Sequence, residues 1–357
     1  MRKHLFIVLG TLFAVAALAS LGFAGDYHKG ATLQCQQCHV MHYSQTHGYN
    51  ANGGGITTPL GASGPYHYLL RDDINDLCLS CHDGGGFAPD VFESNADGYA
   101  RQAGGLNDLA SAGPYYPADG HTLNSTDAPP GYVGTWAGDP LNCTNCHGAH
   151  GAGFGTAADS YRNLGGYGTL VGSGLGIPYS YGTNDLTTWV FEANNSGNSE
   201  NHYGQSAIIF NEPDQTTSQY ANVCKACHTE FHGLVGGSEI GGTGSPPEEF
   251  VRHPAAGVNI GAVGGGHSSL TQFAGHTNQV QVMSKNGLAA GSYTADPLEE
   301  LTQSCMSCHK GHGNQNSFGL IYMSGTGTVN EQGDTGPGVN GPDPGYKDLC
   351  KQCHGQG

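Results

Sequence analysis

Six copies of Cys-x-x-Cys-His account for all 12 cysteines of this 357-residue chain: Cys35/Cys38/His39, Cys78/Cys81/His82, Cys143/Cys146/His147, Cys224/Cys227/His228, Cys305/Cys308/His309 and Cys350/Cys353/His354. Two thiols at this spacing add across the two vinyl groups of a haem as thioethers, and the imidazole that follows is held beneath the iron as its proximal ligand. Zinc ligation, a redox disulfide and coincidence are the competing readings of a Cys-x-x-Cys pair. With 19 His in the chain, six chance placements at one offset have a probability on the order of 10⁻⁸. Zinc sites built from two pairs do not need His at one fixed offset, and a thioredoxin-like motif occurs once, near a βαβ pattern. The expected cofactor is six haem c.

The sixth ligand decides what such an iron does. A protein side chain there leaves electron passage; an open position lets small molecules bind and be reduced. Beyond the six proximal His and His4, twelve imidazoles remain for six positions, and Met41, Met283, Met306 and Met323 are the thioether alternatives. Six irons held by His on both sides is the economical assignment. His42, His150, His232 and His312 closely follow a proximal His. A residue three or four positions on stays on the proximal side, so each is better placed to ligate an adjacent haem. His67, His121 and His276 precede an attachment site at a distance from which a loop could return over the opposite face, and His253 follows the fourth site and could fold back. These eight are the distal candidates. His28, His47, His202 and His267 rank below them as ordinary surface residues. The chain has no His between His82 and His121, which leaves His67 as the candidate for the second haem.

The elements that carry these ligands have little aliphatic material. Leu, Ile, Val and Phe make up roughly 18% of the chain, and Gly alone numbers 60, a composition that in an acidic chain seldom offsets the entropy of ordering. Porphyrin surface would supply the missing apolar area. The expected fold is therefore a multihaem cytochrome c: mostly irregular coil, short helices at the attachment sites, few short strands and a core formed by a chain of six haems. Motif starts at 35, 78, 143, 224, 305 and 350 have no fixed period, against a solenoid of equal repeats. The clearest local unit is Asp296-Pro-Leu-Glu-Glu-Leu301: Asp296 caps a helix, Pro297 suits its first position and Glu299 completes a capping box. Leu298, Leu301, Cys305 and Cys308 then share one helical face. Asp139-Pro-Leu141 is a shorter version before Cys143. Gly53–Gly55, Gly165–Gly176 and Gly236–Ser245 read as irregular chain.

Arg2, Lys3 and His4, the apolar run Leu5–Leu18 and the small residues up to Ala24 read as a signal peptide, residues 1–24, cleaved after Ala24. The run is short for a membrane span. Residues 25–357 are then one hexahaem domain, exported, with no membrane span in the mature chain, and located extracellularly, at the cell surface or alternatively in the periplasm. Attachment of c-type haem outside the cytoplasm agrees with export. The 12 Lys and Arg, less Arg2 and Lys3, leave 10 against 29 acidic residues, and a phosphate backbone would be repelled, which excludes a nucleic-acid role.

Cys35-Gln-Gln-Cys-His-Val-Met-His42, Leu141-Asn-Cys-Thr-Asn-Cys-His-Gly-Ala-His150, Val223-Cys-Lys-Ala-Cys-His-Thr-Glu-Phe-His232 with Val251-Arg-His-Pro254, Cys305-Met-Ser-Cys-His-Lys-Gly-His312 and Leu349-Cys-Lys-Gln-Cys-His354 resemble the motifs of the extracellular multihaem c-type cytochromes that polymerise into filaments, or nanowires. The resemblance implies one continuous chain of haems, alternately stacked and perpendicular, with iron held by two His throughout. It also implies head-to-tail assembly in which His42 ligates the fifth haem of a neighbouring copy. Implied partners are copies of the chain itself, other multihaem cytochromes, and extracellular metal oxides or electrodes. The expected function is extracellular electron transfer rather than enzymatic turnover. The alternatives are a multihaem reductase of a small nitrogen or sulfur oxyanion with one open iron, and a monomeric periplasmic shuttle.

Overall fold

The computed structural model describes residues 28, 35–39, 66–83, 91, 107–108, 120–132, 135–136, 140–150, 160–165, 176–192, 208–213, 218–229, 253, 258–262, 268–276, 279–289, 291–313, 319–323, 329–330 and 349–355. The leader 1–24, His42, His232, Asp139 and Gly236–Ser245 lie outside them, as does the side chain of His67. Most of the described chain is irregular, with five short helices: α1 (Cys35–Cys38), α2 (Ile74–His82), α3 (Gln219–Lys225), α4 (Leu270–Gly275) and α5 (Cys305–Cys308). Four of the five carry attachment-site cysteines. Polar side chains set the starts of α2 and α3: Asp73 accepts from the Asn75 N–H at 3.0 Å, and Ser218 accepts from the Ala221 N–H at 3.3 Å. At the third site Asn142 accepts from the Thr144 N–H at 3.0 Å while the Asn142 N–H donates to Asn145 Oδ1 at 2.7 Å, a reciprocal cap on the tight turn Cys143–Asn145. Such caps hold a helix too short to persist alone.

Among the described residues seven strands pair in three small sheets. β1 (Asn107–Asp108) runs parallel to β2 (Thr122–Leu123), and β6 (Tyr322–Met323) antiparallel to β7 (Val329–Asn330). The largest sheet places β4 (Val190–Glu192) between parallel β3 (Tyr179–Tyr181) and antiparallel β5 (Ile208–Phe210). Around it packs an apolar cluster of Tyr161, Ile177, Trp189, Val190, Ile208, Phe210, Tyr220 and Met283, with Val223 and Met306 from two attachment segments against it. Tyr220 is fully buried; its hydroxyl donates to the Trp189 carbonyl at 2.7 Å, and its ring meets those of Trp189 and Phe210 edge-on. A second cluster, including Ile260, Phe273, Val280, Leu301, Ile321 and Leu349, packs against Cys308 and Cys353. Aliphatic cores therefore do exist beside the last four attachment sites. Among the described residues before Thr122 the buried side chains are polar: Arg71, Asp72 and Asn75.

The helix expected from Asp296 into the fifth site is broken. Asp296 caps only the turn Pro297–Glu299, and Glu300 is left-handed at φ 48. Glu299 bonds Thr294 instead of closing a capping box. Leu301 and Thr302 then extend: Ile260 N–H donates to the Leu301 carbonyl at 2.7 Å, and Thr302 exchanges backbone bonds with Met283. Burial of Leu301 in the second cluster outweighs local helix preference, and Leu298, on the predicted buried face, is 73% exposed.

Candidate metal centres

Each Cys-x-x-Cys-His cluster is a single turn that closes on itself. The N–H groups of His39, His147, His228, His309 and His354 donate to the carbonyl of the first cysteine of their own motif at 2.8 to 3.0 Å. This fixes two thiols and one imidazole on a common side. None of the twelve cysteines forms a disulfide. Burial pushes the Cys146, Cys308 and Cys353 thiols up to about 12, so unattached they would be neutral.

The clusters adjoin in sequence order. Thiols of successive clusters lie close enough to shift one another's ionisation: Cys38 with Cys78 and Cys81, Cys78 with Cys143, Cys146 with Cys227, Cys224 with Cys305, and Cys308 with Cys353 and Cys350. Buried Asn75 of α2 joins the second site to the third. It donates to Asn124 Oδ1 at 3.0 Å and the Leu141 carbonyl at 3.2 Å, and accepts from the Cys143 N–H at 3.1 Å.

Among the described residues, five attachment-site imidazoles each face a second imidazole from a distant segment. Ring centroids are 5.8 Å apart for His39 and His150, 6.1 Å for His82 and His28, 6.0 Å for His147 and His312, 6.0 Å for His228 and His121, and 6.0 Å for His354 and His253. An imidazole nitrogen binds a first-row metal at about 2 Å, so two imidazoles on opposite sides of one ion have centroids about 6 Å apart. The residues present therefore fit a haem, which the paired thiols would tie and the two facing imidazoles would hold. No group of three or more His, Cys, Asp or Glu converges as an ion site among the described residues.

The hydrogen bonds of these rings leave the right nitrogen for a metal. His39 Nδ1 lies 2.9 Å from the Tyr68 carbonyl, His147 Nδ1 2.8 Å from that of Arg162, His228 Nδ1 2.9 Å from that of Pro130, and His28 Nδ1 3.2 Å from that of Ala149; His121 Nδ1 pairs with the Gly311 carbonyl. A carbonyl only accepts, so Nδ1 carries the proton and Nε2 presents its lone pair. Burial lowers the pKa of His28, His121, His147, His150 and His253, which keeps them neutral and able to ligate.

The carbonyls are aimed by a recurring turn absent from the sequence analysis. His39, His147 and His309 form isolated bridges to Leu70, Leu164 and Leu320. The residue after each Leu donates its N–H to the second cysteine: Arg71 to Cys38 at 3.0 Å, Gly165 to Cys146 at 2.8 Å, Ile321 to Cys308 at 2.8 Å. The residue before each Leu is left-handed: Leu69 at φ 58, Asn163 at φ 52, Gly319 at φ 61. So are Tyr68 and Arg162, whose carbonyls meet the imidazoles. Positive φ costs a non-glycine residue roughly 1–2 kcal/mol, and here that strain accompanies the orientation of the imidazole.

Of the distal candidates, His121, His150, His253 and His312 lie opposite attachment-site imidazoles. His276 ends α4 with Nε2 3.3 Å from the Lys351 carbonyl, beside the sixth site. His28, set among surface residues above, faces His82. Its signal in the sequence is order: His28, His121 and His253 each precede one of the Cys-x-x-Cys-His-x-x-His motifs.

No family model matches the chain, and no curated protein matches it. Two solved structures do. The OmcS nanowires of Geobacter sulfurreducens are similar at a TM-score of 0.46 and 18% identity, covering 90% of this chain and 91% of that one. The outer membrane cytochrome S filament of the same organism is similar at 0.46 and 17% identity, covering 86% and 90%.

Proposed function

We propose that the chain is an exported hexahaem electron conduit that polymerises head-to-tail and passes electrons to external acceptors such as metal oxides or other cytochromes. The observation that carries this reading is the set of imidazole pairs at 5.8 to 6.1 Å, each joining a Cys-x-x-Cys-His motif to a His far away in sequence. Haem bound at such sites supplies one-electron transfer at an iron closed to substrate. The chain's part is to hold each iron between two neutral imidazoles, tie the ring by two thioethers and keep successive sites adjacent. The ligand pairs are His39 with His150, His82 with His28, His147 with His312, His228 with His121, and His354 with His253.

Assembly follows from the pattern of trailing His residues. His150 trails the third site and faces the first site's imidazole; His312 trails the fifth and faces the third's. His42 trails the first site at the same offset. Reaching two sites back from there leads out of the subunit, to His309 of another copy. A contact of this head-to-tail kind does not close on itself and grows into a fibre.

Mass measurement with electron paramagnetic resonance tests the reading. The expected result is six covalent haems, loss of residues 1–24 and only low-spin ferric iron in assembled material. A stoichiometric high-spin signal that binds carbon monoxide would indicate a reductase, and a colourless product would end the proposal.

A further inference from the structure

The ligand pairs, the leucine turns and the motif order describe three successive copies of one two-site unit, unequal in loop length. The first contains His28, the Cys35 motif and the Cys78 motif; the second His121, the Cys143 motif and the Cys224 motif; the third His253, the Cys305 motif and the Cys350 motif. Within each unit the leading His faces the imidazole of the second motif: His28 with His82, His121 with His228, His253 with His354. Between units a second link runs from the same leading His. His28 Nδ1 bonds the carbonyl of Ala149, and His121 Nδ1 that of Gly311. Ala149 and Gly311 hold one place, two residues after the proximal His and one before the trailing His of the next unit. His121 strengthens that link with a backbone bond from its own N–H to the His312 carbonyl at 3.0 Å.

From this repetition we infer that His253, which leads the third unit, donates its Nδ1–H to the main-chain carbonyl of Met41 in the adjoining subunit. Met41 occupies in the first unit the place of Ala149 and Gly311; its position here is read from sequence. The inference rests on the ligation and assembly proposed above and adds a second chemical link to each junction. His42 completes the iron at His309, and Met41 completes the imidazole at His354's partner. A carbonyl on Nδ1–H makes an imidazole a stronger donor and favours ferric iron. Assembly therefore lowers the potential of the sixth site without changing its ligands, while it changes the ligation of the fifth.

Electron cryomicroscopy of purified filaments, at a resolution that places main-chain carbonyls, tests this directly. The expected result is His253 Nδ1 within hydrogen-bond distance of the Met41 carbonyl of the next subunit, retained in Met41→Ala because the acceptor is backbone. Redox titration should show one low-spin centre shifted to lower potential in filaments relative to an unassembled His42→Ala protein. Filaments joined through His42 in which His253 Nδ1 meets an acceptor of its own subunit, or water, would overturn the inference and leave the conduit reading intact. A protein that never assembles would overturn the inference together with the filament.

Discussion

His28 and His67 pose the sharpest question at the scale of single residues. His28 lies opposite His82 and bonds Ala149 through Nδ1, so His28→Ala should leave the second iron five-coordinate. One high-spin signal per subunit, with carbon monoxide binding at one centre, is the expected spectrum, and His67→Ala should leave the spectrum low-spin. The reverse outcome would exchange their roles. His150→Ala should act likewise on the first site, through loss of the imidazole facing His39.

Between elements, a polar contact and a strained turn each predict an energy. Buried Asn75 ties α2 to Asn124, to the Leu141 carbonyl and to the Cys143 N–H. Asn75→Ala strands the Cys143 N–H, while the Leu141 carbonyl keeps the Asn124 N–H, and should cost about 1–3 kcal/mol in denaturant unfolding. A loss under half a kcal/mol would show that the second and third sites are held by the prosthetic groups alone. At the first leucine turn, Leu69 is left-handed and half exposed. Leu69→Gly should be neutral or stabilising by up to about 1 kcal/mol, and Leu69→Val should destabilise by roughly 1–2 kcal/mol, because a β-branched side chain fits φ 58 poorly. Equal effects of the two substitutions would mean that the turn relaxes.

At the scale of the whole molecule, imidazoles face one another across the boundaries of the three units, and in the proposed assembly the subunit is one piece of a longer repeat. His42→Ala should abolish filaments under the electron microscope and convert one centre per subunit to high spin. Full-length filaments of this variant would place the junction elsewhere. The two apolar clusters lie beside the third to sixth sites, whereas described residues of the first unit bury polar side chains. Removal of haem should therefore unfold the first unit before the sheet β3–β5, a difference that hydrogen exchange on the haem-depleted chain would read.

The six Cys-x-x-Cys-His clusters were legible from the chain because each sits within five consecutive residues, and one helical turn suffices to bring thiols and imidazole to one side. The order of units was also present, in three His residues ahead of three Cys-x-x-Cys-His-x-x-His motifs, although their unequal spacing hid it. Pairing was not legible. Two imidazoles that face each other about 6 Å apart need no common segment, as His147 and His312 illustrate, and nothing in the sequence around the second His marks it before the loops close. Tertiary contacts also decided the chain before the fifth site, where pairing of Thr302 with Met283 and burial of Leu301 overrode a well-capped helix start. Neighbours along the chain bring two thiols and an imidazole together; which second imidazole faces them depends on which segments meet in space.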